Sequence, residues 1–411
     1  MQLPWKSLLA AVGVLTLLVV LIWFFFLRTP SSVEPVPTTT TSGFTTGTVV
    51  TTEATLPQEA DPSDAPYGYT GTQRIFKIAD GPVVAATFVQ TFNPTTTVAR
   101  YVMQDNGRVF DLPIDVPGSV PRAVSNTTIP AIAHALWGEG GESVVLQYME
   151  EVTVKTLYMR FSPRATSTIA TPLPPQIRFL PDNIFTLAIS PDGKKLAYML
   201  VTTGGATGYV ANINGTESKT LFFTPLTQVR LTWPAANTLL MQTKAAVGVS
   251  GMAFSIALQS GTVTPLLHAA GLSIIADPAF AKVIYQTSTL SDVKTYSHDV
   301  VSGKDLRLSF DPFPEKCVQS GKTSSLIYCA LPLAYISPQY LDLWYKGLAS
   351  AADSLVAFNP TTGARIIIGT PGQGEGGKKS DIVGIAVAPA DAYLSFVTKG
   401  DRSLWGVRLT Q

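Results

Sequence analysis

The sequence predicts an all-β protein, a seven-bladed β-propeller, and three observations support this prediction. Charged residues make up only 14% of the chain, whereas Gly (32) and Pro (30) are abundant, a composition that favours short strands joined by many turns. One hairpin pattern, two apolar strands around a polar turn, occurs seven times. Three of the six intervals between the starts of successive hairpins, 42, 44 and 44 residues, match the roughly 40–45 residues of a four-stranded propeller blade.

The best-preserved hairpin covers residues 187–199, in which Ser190-Pro191-Asp192-Gly193 separates two apolar runs. Pro191 presets φ for the turn, and Gly193 supplies a positive φ that other residues resist. Six weaker versions share the order apolar strand, short polar loop, apolar strand. They occupy residues 82–102, 132–148, 229–241, 273–285, 317–329 and 383–397.

Further strand pairs follow several hairpins, as a blade of four strands requires. Asn214-Gly215 is the strongest of the outer turn signals. Ser302-Gly303 is another, and the short apolar run before it, Val300-Val301, is predicted to be a third strand. Residues 73–78 are also strand-like, and we expect them to complete the last blade beside residues 404–408, because a closed ring protects its sheet edges. Six or eight blades would result if one weak repeat is misassigned.

The N-terminal region predicts one transmembrane helix. An uncharged apolar run begins at Leu8 and ends at Leu27, and at 1.5 Å per residue it spans roughly 30 Å, the thickness of a bilayer core. A cleaved signal peptide is the alternative, but its apolar region is about 7–15 residues and it ends in small residues. The sequence therefore favours a short tail (1–7) and a single-pass anchor (8–28).

A Thr-, Pro- and Ser-rich segment, residues 29–69, separates the anchor from the propeller domain, residues 70–411. Its composition predicts a disordered linker, either a stalk that lifts the propeller from the membrane or a plain tether. The net charge of +1 gives no indication of nucleic-acid binding.

The segment Ser190-Pro191-Asp192-Gly193-Lys194-Lys195-Leu196-Ala197-Tyr198 resembles the repeat signature of TolB-like and WD40-like (PD40) propellers. The order of anchor, stalk and propeller resembles uncharacterised bacterial envelope proteins. This resemblance implies a propeller with a scaffold or binding role. We predict a non-catalytic, monomeric module of the cell envelope, and the Thr-, Pro- and Ser-rich linker favours a C-terminal domain outside the cytoplasm. The resemblance transfers no catalytic residues, because the repeat is structural.

Cys317 and Cys329 lie on the two strands of the sixth predicted hairpin. A disulfide is expected if the strand register places them opposite each other, and two reduced, buried cysteines are the alternative. The oxidising exterior of the membrane would permit the bond.

Two loops are candidate binding surfaces. A long insertion after Cys329 contains Trp344, Tyr345 and Lys346, and its aromatic residues either form a recognition surface or plug one mouth of the ring. A glycine-rich loop between blades six and seven contains Gly372, Gly374 and Glu375. It lacks the spacing and the following helix of a phosphate-binding loop, so we expect a surface loop.

No residue pattern predicts a catalytic, cofactor or metal site. The three histidines lack metal-ligand spacing. The competing interpretation is a propeller hydrolase, acting on lactones or glycans through polar side chains in one mouth. Asp192, Asp277 and Asp391 are the recurring carboxylates that such a site would use, although turn geometry also explains them. The predicted function is binding of envelope proteins or polymers.

Overall fold

The structure is a computed structural model that describes residues 74–92, 95–162, 174–372 and 380–409. Within these residues, the strands form seven antiparallel sheets of four strands each. The prediction of a seven-bladed β-propeller is confirmed. Within the same residues no helix is long and apolar enough to span a membrane, and the predicted anchor and linker lie outside them.

The strands are numbered in chain order, and each blade is given from its first to its last strand. Before blade one comes β1 (Ile75–Ala79). Blade one contains β2 (Val83–Phe92), β3 (Thr95–Met103), β4 (Val109–Pro113) and β5 (Arg122–Ala123). Blade two contains β6 (Ile132–Gly138), β7 (Ser143–Glu150), β8 (Thr153–Arg160) and β9 (Gln176–Phe179). Blade three contains β10 (Thr186–Ile189), β11 (Lys195–Thr202), β12 (Gly205–Asn212) and β13 (Lys219–Thr224).

The remaining blades follow the same order. Blade four contains β14 (Val229–Ala235), β15 (Thr238–Thr243), β16 (Ser250–Ala257) and β17 (Val263–Ala270). Blade five contains β18 (Ser273–Ala276), β19 (Lys282–Ser288), β20 (Val293–Asp299) and β21 (Asp305–Arg307). Blade six contains β22 (Cys317–Gln319), β23 (Ile327–Pro332), β24 (Asp353–Phe358) and β25 (Arg365–Gly369). Blade seven contains β26 (Ile382–Val387), β27 (Tyr393–Thr398) and β28 (Leu404–Arg408).

The ring closes through β1, which is the outer strand of blade seven. It pairs with β28, with Ile75 opposite Val407 and Phe76 opposite Gly406. The predicted closure is confirmed. This pairing joins the first and last described strands in one sheet. It therefore holds the two ends of the ring together.

Apolar side chains fill the spaces between neighbouring blades. Between blades three and four, for example, Met199, Leu231 and Trp233 belong to one buried cluster, and between blades six and seven Leu355 and Phe396 belong to another. One blade cannot bury both faces by itself, so this stacking forms the core of the ring.

Buried glutamines on the second strands add polar links between blades. Gln147 donates to the carbonyl oxygen of Ile184 (2.9 Å), and Gln286 donates to that of Pro312 (3.1 Å). The side-chain oxygen of Gln242 accepts from the backbone N–H of Ile274 at 3.0 Å. These bonds satisfy buried backbone groups of the segments that enter the next blade.

The Ser190–Gly193 turn makes a contact between blades. Gly193 has φ 72°, and a side chain there would collide with the backbone nitrogen of Glu139 in blade two, 2.3 Å from an ideal Cβ. The Glu139 N–H donates to the Gly193 carbonyl (3.1 Å). Glycine is therefore required by both conformation and proximity.

One predicted strand is wrong. Val300 and Val301 were expected to form a third strand, but the third strand of blade five is β20, which ends at Asp299. The N–H of Gly303 donates to the Asp299 carbonyl and closes a turn around them, and Val301 is exposed. Their β-branched side chains indicated a strand, whereas turn chemistry decided the local conformation.

Candidate functional site

The blade-six insertion, residues 333–352, joins β23 to β24 and contains the helix α1 (Tyr340–Tyr345). In an antiparallel blade, this connection emerges at the same end as the segments that lead into the first strands. The insertion accordingly contacts two such segments, at Lys316 before β22 and at Asp381 before β26, through residues described below. It therefore lies over one face of the ring.

One side of α1 is buried against the propeller. Tyr340, Leu341 and Trp344 form a small apolar cluster with Phe313, and the rings of Phe313 and Trp344 meet edge to face with centroids 5.0 Å apart. Asp342 reaches blade four, where its carboxylate accepts from the backbone N–H of Val247 at 3.0 Å. The insertion thus has a defined seat on the ring.

A buried group of charges lies beneath α1. The Lys316 ammonium contacts Asp353 at 2.8 Å and Asp381 at 2.5 Å, and the three side chains are 0%, 0% and 1% exposed. The Trp344 indole N–H donates to both carboxylate oxygens of Asp381, at 3.0 and 3.2 Å. We call Lys316, Asp353 and Asp381 the buried ion cluster. It connects the helix to blades six and seven.

Lys399 completes this seat from blade seven. Its ammonium donates to the carbonyls of Trp344 (2.6 Å) and Ala349 (3.3 Å) and lies 4.1 Å from the centre of the Trp344 ring. Burial lowers the pKa of Lys399, against the effect of the nearby Asp381 carboxylate. Burial raises the pKa of Asp353 to about 6, and the ion pair with Lys316 opposes that rise. Two ammonium and two carboxylate groups therefore balance in charge below the helix.

The other side of the insertion faces solvent. Tyr345 is 42% exposed, and its hydroxyl donates to Glu315, which pairs with Arg230 at 2.8 Å. Burial of its hydroxyl and the adjacent carboxylate raise the pKa of Tyr345. Lys346 is exposed as well. The insertion also exposes several large apolar side chains: Leu333, Tyr335, Leu343 and Leu348.

The structure places the two adjacent aromatic residues, Trp344 and Tyr345, on different sides of the insertion. Trp344 is 9% exposed and packs beneath the helix, as a plug would. Tyr345 and Lys346 remain on the surface. Gly372 lies in a turn with φ 85°, whereas Gly374 and Glu375 are outside the described residues.

The structure joins Cys317 and Cys329 by a disulfide. The two residues are direct partners in the register of β22 and β23. The bond links β22 to β23, and the insertion begins at the end of β23.

The recurring carboxylates lie in separate turns. Asp192 accepts from Ser190 (2.6 Å), and Asp277 accepts from the backbone of Ala281 (2.7 Å). Asp391 accepts from Tyr328 and Ser320 of the neighbouring blade. Asp192 and Asp277 thus bond within their own turns, as turn geometry predicted, whereas Asp391 links its turn to blade six.

The histidines also lie apart from one another. His298 pairs with Asp305 at 2.9 Å rather than with the adjacent Ser297 or Asp299. Burial lowers the pKa of His134. In the part of the chain that the structure describes, no group of three or more His, Cys, Asp or Glu residues has the arrangement of a metal site.

Sequence reasoning missed the buried ion cluster. Its members, together with Trp344 and Lys399, come from five separate segments of the chain, and a single Lys or Asp in a turn-rich region usually lies in solvent. One signal that was present is Lys316 itself, a lysine immediately before a predicted inner strand.

The scan against protein-family models found no match, and the search of curated proteins found none either. The structure is similar to TolB from Acinetobacter baumannii, with 11% identity and a TM-score of 0.39, covering 79% of this chain and 63% of that chain. It is also similar to the tricorn protease, with 9% identity and a TM-score of 0.50, covering 82% of this chain and 34% of that chain. A third similar structure is oligogalacturonate lyase from Vibrio parahaemolyticus, with 7% identity and a TM-score of 0.49, covering 84% of this chain and 96% of that chain.

These similar structures include two enzymes, a protease and a lyase, as well as TolB. The chain spans less than two thirds of TolB and about a third of the tricorn protease. At such low identities the likeness shows the fold alone, because one propeller architecture carries many unrelated functions.

Proposed function

We propose that this protein is a non-catalytic binding or scaffolding module of the cell envelope, and that the blade-six insertion is its contact surface. The observation that carries the proposal is the two-sided character of the insertion. Its inner side is held by the buried ion cluster and by Trp344, while its outer side presents Tyr335, Leu343 and Leu348 to solvent.

This combination meets the physical requirements of a protein interface. Exposed apolar and aromatic side chains supply the binding energy when a partner covers them. A rigid support reduces the entropy lost on binding, so more of that energy appears as affinity. Of the nineteen large apolar side chains that the described residues expose, five belong to this insertion of twenty residues, whereas the others are spread over the blades.

The proposed location follows from the N-terminal sequence. The run that begins at Leu8 anchors the chain in the cytoplasmic membrane, and residues 29–69 tether a monomeric propeller outside the cytoplasm. In spheroplasts, added protease is expected to digest the propeller while the membrane stays intact. Complete protection until the membrane is lysed would contradict this orientation.

Site-specific photo-cross-linking tests the contact surface. A photoreactive phenylalanine derivative replaces Tyr335 or Leu348 in the full-length protein in native membranes, and Val301, an equally exposed residue of blade five, is the control position. We expect a discrete cross-linked product from the insertion positions but not from position 301. Leu343→Asp, on the exposed side of α1, should abolish that product without changing the thermal midpoint.

The same cross-linked products from position 301 would contradict a specific surface on the insertion. So would a product that persists unchanged in Leu343→Asp. Val301→Asp is the matched control, because it places the same new charge on an exposed apolar position outside the insertion.

A further inference from the structure

A groove between blades five and six adjoins the blade-six insertion. Its volume is about 620 Å³, within the range of about 300–1,000 Å³ typical of ligand sites. Apolar side chains from both blades and from the insertion form most of its walls: Val293, Phe310, Leu331, Ile336 and Ile367. The first residues of the insertion form one rim, so the groove is continuous with the proposed contact surface.

One cation of this groove, Arg365, contacts an aromatic ring. Its guanidinium lies 4.6 Å from the centre of the Phe310 ring, and no carboxylate of the described residues is within ion-pair distance of it. Asp311, also in the wall, is already engaged by Arg307 (2.9 Å) and by the backbone N–H of Thr295 (2.7 Å). As far as the described residues show, the groove therefore offers a ligand an oriented positive charge that no carboxylate pairs.

The outer wall of the groove is an edge strand. Arg365 and Ile367 alternate with Ile366 along β25, so the first two share the face that lines the groove. β25 is the last strand of its sheet. An extended peptide laid along an edge strand gains main-chain hydrogen bonds, while alternate side chains enter pockets beside it.

We propose that the groove binds an extended segment of a partner protein, with a carboxylate on Arg365 and a bulky apolar side chain two residues away, on the same side of the segment, against Val293, Leu331 and Ile367. The charge of the guanidinium selects an acidic segment, and the apolar walls select the residue two positions from the acid. The inference rests on the proposed function, because it names the chemistry of the partner that the module recruits.

The test measures peptide binding to the purified full-length protein. The probe is the fluorescein-labelled peptide Ser-Asp-Ser-Phe-Ser-Asp-Ser, in which the acids and the aromatic residue share one face when the peptide is extended, and the comparison peptide replaces both Asp residues by Asn. Fluorescence anisotropy is followed to about 1 mM protein, because a single charge-assisted contact and one apolar pocket support only weak binding of a short peptide. We expect the acidic peptide to bind at least about tenfold more tightly, since hydrogen bonds to charged groups contribute about 1.5–3 kcal/mol.

Arg365→Met keeps the length of the side chain but removes its charge. It should weaken binding of the acidic peptide about tenfold and leave the Asn peptide unaffected. The matched control is Arg178→Met, because Arg178 is exposed on β9, the edge strand of blade two. This substitution should leave both affinities unchanged.

Three results would overturn the groove proposal: no binding of the acidic peptide, equal binding of both peptides, or equal loss in Arg365→Met and Arg178→Met. Concentration-dependent dimers in sedimentation that Arg365→Met abolishes would also overturn it, by showing a second copy of the chain in the groove. If peptide binding fails while the cross-links at positions 335 and 348 persist, the binding function stands and only the partner chemistry is wrong.

Discussion

Substitution of Lys316 by Met should destabilise the protein severely. Lys316 is 0% exposed and is the cation that contacts both Asp353 and Asp381. Methionine fills similar space, so little cavity is created. The main consequence is that two carboxylates, 0% and 1% exposed, lose the one cation that contacts both of them, and Lys399 alone then faces two buried negative charges.

The expected loss is about 3–5 kcal/mol in the free energy of unfolding, the usual effect of removing one partner of a buried ion pair. This is a large fraction of the roughly 5–15 kcal/mol that stabilises a typical protein. Because burial already raises the pKa of Asp353 to about 6, protonation relieves part of the cost in acid. The loss should therefore be larger at about pH 8 than at about pH 5.

Urea unfolding of the full-length protein, followed by tryptophan fluorescence, measures this loss. Lys294→Met is the matched control. The Lys294–Asp292 pair has the same 2.5 Å separation as Lys316–Asp381, but its side chains are 46% and 39% exposed. Since exposed pairs contribute little, the unfolding curve of this control should match that of the parent protein.

A loss for Lys316→Met no greater than that for Lys294→Met would refute the argument that burial makes this cluster important. The triple variant Lys316→Met, Asp353→Asn, Asp381→Asn should recover part of the loss, because no unpaired charge then remains buried. Failure of the triple variant to recover stability would show that the lysine acts by packing rather than by charge.

Three other predictions concern the same part of the ring. Trp344→Ala should lower the free energy of unfolding by about 3–5 kcal/mol, as expected for a buried aromatic residue. Tyr345→Ala should lower it less and should instead reduce cross-linking at position 348. Equal losses of stability in the two variants would contradict this division of roles. Replacing Cys317 and Cys329 by Ser should lower the free energy of unfolding by about 2–4 kcal/mol, because the disulfide closes a loop between residues 12 apart. Non-reducing peptide mapping that finds both thiols free in protein from native membranes would contradict the disulfide. The folded pKa of Asp353, about 6, exceeds the unfolded value of about 3.9, so the folded state binds more protons between these two pH values. The contribution of Asp353 to stability should therefore fall by about 3 kcal/mol as the pH rises from about 4 to about 6. Asp353→Asn should remove this pH dependence, and an unchanged pH dependence would assign it to another group.

Much of the fold was accessible from the sequence because repetition provides its own check. A single hairpin such as residues 187–199 is weak evidence, but seven copies at blade spacing require stacked sheets and a closed ring. The pairing of β1 with β28 follows from the same logic. The misassigned strand at Val300 shows the limit, because local β-propensity did not distinguish a strand from an exposed turn.

The sequence by itself predicted seven blades, with six or eight left open, as well as the ring closure and the place of the insertion in blade six. It also left the role of Trp344 and Tyr345 open, because α-helical neighbours point to different sides and only packing decides which side is covered. The tertiary structure made that decision by bringing Lys316, Asp353, Asp381 and Lys399 beneath α1 from distant parts of the chain. The burial and the charge neutralisation of these side chains arise only when the folded chain brings them together. No local pattern in the sequence could therefore predict them.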